Sequence, residues 1–136
     1  PGLPPEEALR ECFHGRFILV VDDDAMNREV AEMTLQVTGL QVDVAEDGGQ
    51  AIHMAAGRSY AAILMDVQMP VIDGLMATQR IRSLPGCAAV PIIAMTANAF
   101  TEDRERCLAA GMNDFLVKPF DPQHLYEILL KWMKDE

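Results

Sequence analysis

Five short runs along the chain, residues 17–21, 41–45, 61–65, 91–95 and 114–117, are apolar or alternate apolar with polar positions. Runs of this length read as strands, and the uninterrupted ones as strands covered on both faces. Between them, apolar residues return every three or four positions, the spacing of helices. After the first run, Met26, Val30, Met33 and Val37 recur at steps of four, three and four. They predict a helix that turns this stripe to the core, with Gly39 as its stop. Residues 47–56 predict a helix ended by Gly57, residues 75–82 another, and residues 102–110 a third, behind Thr101 and before Gly111. In the last helix Asp121 is a natural N-cap and Pro122 a natural first helical residue. Leu125, Ile128, Leu129, Trp132 and Met133 form its buried stripe.

The pattern is strand then helix, repeated five times. Right-handed crossovers place the helices on both faces of such strands, so the expected fold is α/β, a doubly wound parallel five-stranded sheet. In the common order 2-1-3-4-5 the first and third strands are neighbours at the topological switch point. The domain is expected over residues 16–136. Residues 1–15 mix Pro, Gly and charge with a short helical turn around Glu6 to Cys12, and read as a linker or leader segment.

The 136 residues suit one domain, and 50% hydrophobic with 24% charged residues is globular rather than disordered. The net charge of −10 repels nucleic acid and anionic lipid and suits metal ions or basic partner surfaces. No apolar stretch approaches the roughly 20 residues that span a bilayer, so no membrane contact is expected of this domain. Cys12, Cys87 and Cys107 are odd in number, widely spaced and without a C-x-x-C pair, which argues against a disulfide framework or zinc site. A reducing cytoplasm fits this cysteine usage.

Chemistry-bearing residues gather where strands end. Asp22 and Asp23 close the first run, Asp66 the third, Thr96 the fourth and Lys118 the fifth. Open α/β sheets bind ligands at that edge. Two like charges about 4 Å apart repel by roughly 4 kcal/mol at an effective dielectric near 20, so three carboxylates in one pocket need a proton or a cation. An all-oxygen set with room for water suits Mg²⁺ and does not suit zinc. A carboxylate is also a nucleophile that forms an aspartyl phosphate when metal, amine and hydroxyl groups hold the phosphoryl oxygens. Asp66 is the candidate nucleophile, Asp22 and Asp23 the metal-binding acids, Lys118 the cation and Thr96 the hydroxyl donor. Singly, an Asp pair caps helices and a Lys is a solvated charge; the combination carries the reading.

In this combination the chain resembles the response-regulator receiver domains of two-component signalling, over about residues 16–133. The resemblance rests on Ile18-Leu-Val-Val-Asp-Asp23, Leu64-Met-Asp-Val-Gln-Met-Pro70 with Asp73-Gly74, Pro91-Ile-Ile-Ala-Met-Thr-Ala97 and Lys118-Pro-Phe120. It implies the flavodoxin-like receiver fold, with Mg²⁺ held directly by Asp23, Asp66 and the Gln68 carbonyl, while Asp22 acts largely through water. It implies that Thr96 and Phe115 change position on phosphorylation, although Phe115 lacks the hydroxyl of a Tyr. A cis Lys118-Pro119 bond is expected, and Gln68 and Asn98 border the attacking water and tune phosphoryl lifetime. Neither is an acid or a base, so a lifetime of minutes or longer is expected. The implied partner is a sensor histidine kinase or a histidine phosphotransfer domain, docking over the first helix and the loops around Asp66, and a homodimer is compatible.

Val21-Asp-Asp-Asp-Ala-Met-Asn-Arg28, Met65-Asp-Val-Gln-Met-Pro70 and Ala94-Met-Thr-Ala-Asn-Ala-Phe100 look most like receivers attached to hybrid sensor histidine kinases, with a stand-alone or truncated regulator as the alternative. Two rivals come from other classes. A haloacid-dehalogenase-type phosphohydrolase would use the acids of Asp22-Asp-Asp24 but leaves Asp66 without a role. A flavodoxin-like flavin binder would need uncharged phosphate-cradling turns where this chain has that acidic triplet. An unphosphorylated interaction module is the third reading, although such modules usually lose an acid or the Lys.

Overall fold

The computed structural model describes residues 3–69, 71–97 and 101–133. In chain order the elements are α1 (Pro5–Phe13), β1 (Phe17–Val21), α2 (Ala25–Gln36), β2 (Gln41–Ala45), α3 (Gly48–Gly57), β3 (Ala62–Asp66), α4 (Gly74–Arg82), β4 (Ile92–Thr96), α5 (Thr101–Ala110), β5 (Asp114–Val117) and α6 (Pro122–Trp132). The five strands form one parallel sheet in the expected order β2-β1-β3-β4-β5. Asp66 and Thr96, placed by sequence just beyond their apolar runs, are the last residues of β3 and β4.

Alternation along the strands builds two apolar layers. Ile18, Val20, Leu64, Ile93, Met95 and Leu116 point to one face, where α1, α2 and α6 cover them. Leu19, Val21, Ile63, Met65, Ile92 and Ala94 point to the other, under α3, α4 and α5. Covering both faces explains why β3 and β4 are buried at every position. Aspartates start four of the helices, Asp121 as the sequence suggested: Asp24, Asp47, Asp73 and Asp121 each accept a backbone N–H in the first turn of the helix that follows.

The stripe of α2 is the exception. Met26 is 73% and Met33 62% exposed, and Val30 and Val37 are exposed with them. Ala31 and Leu35, on the opposite side, meet the sheet. Periodicity finds an apolar stripe but does not say which face the sheet takes, and α2 has two. The helix docks through the smaller Ala31, backed by a hydrogen bond from the Tyr126 hydroxyl to the Thr34 carbonyl at 2.7 Å. The expectation that these methionines and valines pack in the core is therefore corrected.

The leader is helical over α1, one residue longer at each end than the turn expected around Glu6 to Cys12. Leu9 and Phe13 lie one turn apart and are buried in the same layer as α6, and Arg10 donates to the Val37 carbonyl at the end of α2. Leu9 is fully buried, so Leu9→Ala is expected to destabilise the fold by about 2–4 kcal/mol in a single urea transition. Urea unfolding followed by circular dichroism and by Trp132 fluorescence checks this. An unchanged midpoint would mean that α1 is not part of the cooperative unit.

Candidate functional site

The site lies along the edge where the parallel strands end. Because β1 and β3 are neighbours, with Val21 opposite Met65, the residues that follow each arrive side by side. Asp22 is 1% and Asp66 4% exposed, whereas Asp23 stands out in solvent. One carboxylate oxygen from each of the three lies within 4.8 Å of the others. Lys118, just past β5, reaches across: its Nζ is 3.0 Å from Asp22 Oδ2 and 3.4 Å from Asp66 Oδ1. Thr96 ends β4, and its carbonyl accepts the Lys118 backbone N–H at 2.8 Å. The Lys118-Pro119 peptide bond is cis, as expected.

Backbone contacts hold the acids in place. The Asp24 N–H donates to Asp22 Oδ1 at 3.0 Å and the Gln68 N–H to Asp66 Oδ1 at 3.2 Å, while the Arg28 guanidinium donates to the Asp22 carbonyl at 2.8 Å. Asp24 Oδ1 caps α2 through the Met26 N–H, which gives the third acid of the triplet a structural task. Gly74 packs directly on the strand end: a Cβ there would sit 2.2 Å from the Asp66 carbonyl oxygen. The sequence motifs contain Gly74 and Arg28 but assign a role to neither. The Asp73-Gly74 pair opening a helix was the available signal for the first; a cation six residues after Asp22, with no carboxylate in its bond, carried none.

Burial, then the neighbouring Asp22 carboxylate, push the Asp66 carboxyl up to about 6 against the pull of Lys118. Burial draws Lys118 down, but hydrogen bonding and charge from Asp22 and Asp66 outweigh it and hold the ammonium above the ordinary lysine value. The acids therefore carry more negative charge than one ammonium neutralises, and the donors are oxygens alone, a set that fits a hard divalent cation.

Of the other predicted residues, Gln68 is exposed beside Asp66. Phe115 lies within β5, opposite Ala94, on the face covered by α4 and α5. Asn98 lies outside the described residues. A cavity of about 170 Å³ lined by Asp22, Asn27, Val30, Met95, Lys118, Pro119 and Phe120 opens beside the acids, toward the exposed stripe of α2.

Comparisons with known proteins bear on this geometry. A family model described as the response regulator receiver domain matches residues 18–130. Hybrid signal transduction histidine kinase L of Dictyostelium discoideum is 41% identical over 127 residues, covering 87% of the chain and 7% of that protein. Signal transduction histidine-protein kinase BarA of Escherichia coli is 36% identical over 115 residues, covering 85% of the chain and 12% of that protein. The chain thus spans only a small part of the length of these relatives. Among solved structures, the receiver domain of a Pseudomonas aeruginosa sensor histidine kinase, with magnesium coordinated in its active site cleft, is 48% identical with a TM-score of 0.82, covering 87% of this chain and 97% of that one. A Saccharomyces cerevisiae response-regulator receiver, co-crystallised with a histidine phosphotransfer protein, is 26% identical with a TM-score of 0.80, covering 89% of this chain and 90% of that one.

The raised carboxyl of Asp66 fixes the sign of a pH effect. In metal-free protein its folded-state pKa of about 6 exceeds the ordinary 3.8, so stability is lost as pH rises through that window. Asp66→Asn is not subject to this loss. Its stability gain over wild type is expected to be near zero below pH about 4 and to grow as pH rises through about 6. Urea midpoints of both proteins in a chelator, at a series of pH values, check this; a gain that shrinks as pH rises would contradict it.

Proposed function

The chain belongs to the response-regulator receiver family of two-component signalling, and from that premise we propose that it takes a phosphoryl group from a phosphohistidine onto Asp66. The observation that carries the reading is the Asp66 carboxylate, buried at a strand end, with a cation on one side and further carboxylates on the other. With the family shown, the phosphohydrolase and flavin-binding readings are not favoured.

An Asp66 carboxylate oxygen attacks phosphorus, the new P–O bond forming as the P–N bond to the donor imidazole breaks. The imidazole nitrogen keeps the electron pair, and a proton from solvent on the ring lets the donor leave as neutral imidazole. Lys118, raised in pKa and therefore charged at neutral pH, offsets charge on the phosphoryl oxygens, and Thr96 supplies a hydroxyl at the end of the neighbouring strand. Mg²⁺ would be held by Asp23, Asp66 and the Gln68 carbonyl, with Asp22 acting largely through water, and would supply neutralisation of the phosphoryl charge. Gln68 offers neither acid nor base for hydrolysis, which supports a phosphoryl lifetime of minutes or longer; Asn98 has the same proposed part.

The partner is a sensor histidine kinase or a histidine phosphotransfer domain. Supporting this is the outward stripe of α2, where Met26, Val30, Met33 and Val37 form an apolar band ending beside the acids. Val71, on the loop after Asp66, is 96% exposed and held at φ 68, in the left-handed region that β-branched residues avoid. A helical partner laid on α2 would bury apolar surface that the isolated domain leaves wet. The parent is proposed to be a hybrid sensor histidine kinase, with this domain on the cytoplasmic side. None of the helices among the described residues is long and apolar enough to cross a membrane.

Acetyl phosphate with Mg²⁺ is expected to add one phosphoryl mass to the intact protein, and chelator or Asp66→Asn to abolish the addition. Lys118→Ala is expected to slow it about a hundredfold. Addition that persists in Asp66→Asn, or no addition to folded protein with Mg²⁺ bound, would contradict the reading. Val30→Glu is expected to slow transfer from a phosphorylated histidine phosphotransfer domain about tenfold, measured by loss of label from the donor.

A further inference from the structure

Helix α5 is lightly anchored. Among its described side chains only Cys107 and Ala110 are buried, while Arg104, Glu105, Arg106 and Leu108 face solvent. A further contact ties it to the sheet: the Arg104 guanidinium lies over the ring of Phe115, 4.0 Å from its centroid.

The backbone of Phe115 is held firmly. It pairs with Ala94 across the sheet, and its N–H donates to Asp114 Oδ1 at 2.8 Å. The other Asp114 oxygen accepts from Trp132 Nε1 of α6 at 2.8 Å. Any movement at this residue therefore belongs to the ring. On the inner side stands Ala94, a small side chain, and one pleat further along the same face of β4 stands Thr96 at the site. On the outer side stands Arg104.

We propose that the Arg104–Phe115 stack is a latch that holds the α5–β5 surface in its resting arrangement and opposes phosphorylation. This rests on the reading of Asp66 as phosphoacceptor and of Thr96 as its hydroxyl donor. Drawing Thr96 toward a phosphoryl group frees space beside Ala94, and a ring that turns into that space leaves the guanidinium behind. The stack is then made in one state and lost in the other. By reciprocity, whatever phosphorylation costs the stack, loss of the stack returns to phosphorylation by the same factor. A cation over an aromatic face at an exposed position supports a factor of about two to five. The latch would also place the readout on α5: a released Arg104 becomes a free cation on a surface that carries Glu105 beside it.

The test is an equilibrium one. Binding of beryllofluoride, a phosphoryl mimic, is measured by titration calorimetry at saturating Mg²⁺ in wild type, Arg104→Ala, Arg104→Lys, Phe115→Leu and the double variant Arg104→Ala with Phe115→Leu. Arg104→Ala is expected to bind about two- to fivefold more tightly, Arg104→Lys to fall between, and Arg104→Ala to change nothing once Phe115 is Leu. Unchanged or weaker binding in Arg104→Ala overturns the latch, as does a gain of the same size in the Phe115→Leu background, which would assign the effect to charge alone. Wild type that binds no beryllofluoride and accepts nothing from acetyl phosphate would overturn the phosphoacceptor reading, and the latch with it.

Discussion

Three carboxylates within 4.8 Å of one another, with the Lys118 ammonium between two of them, are the constraint on which the arrangement turns. At an effective dielectric near 20 each like-charged pair at that range costs about 3 kcal/mol, and one ammonium does not cancel three acids. Burial adds to the cost, which is why the Asp66 carboxyl is pushed up to about 6. A folded domain keeps such a cluster only if the surrounding structure holds it. The excess negative charge suits a divalent cation, which under the proposed function would offset the charge of an incoming phosphoryl group.

The fold supplies the restraint through strand order and close packing. Parallel pairing of β1 with β3 puts Asp22 and Asp66 on adjacent strand ends, and β4 and β5 deliver Thr96 and Lys118 to the same edge. Gly74 lets α4 begin against the Asp66 carbonyl, where any side chain would collide, so β3 and the helix behind it lie in direct contact. Arg28 ties the Asp22 carbonyl to α2. The same helix that steadies the acids from beneath turns an apolar stripe outward beside them, so the chemistry and the proposed docking surface are fixed to one another.

Much of this was legible in the sequence because strands buried on both faces are written as near-continuous apolar runs, and their ends are marked by the first polar residue. Asp22, Asp66, Thr96 and Lys118 could be placed at one sheet edge on that ground alone. The orientation of α2 was not legible: Met26, Val30, Met33 and Val37 spell an apolar stripe as clearly as Leu125, Ile128 and Leu129 do in α6, yet one faces water and the other the core. The difference lies in Ala31 and Leu35, which suffice for the contact with the sheet and leave the other stripe free. Leu9 and Phe13 were hidden for a similar reason, since two apolar residues one turn apart in a Pro- and Gly-containing segment acquire meaning only when α6 is there to receive them. The stack of Arg104 on Phe115 joins residues from two elements and has no sequence signature.

The central claim is that Asp66, of the three clustered acids, forms the bond to phosphorus. Borohydride reduces an aspartyl phosphate to homoserine, so protein treated with acetyl phosphate and Mg²⁺, then reduced and digested, can be read residue by residue in a mass spectrometer. Homoserine at position 66, with aspartate retained at positions 22 and 23, is the predicted result. Homoserine at position 22 or 23, or aspartate at all three in protein shown to carry a phosphoryl group before reduction, would contradict it.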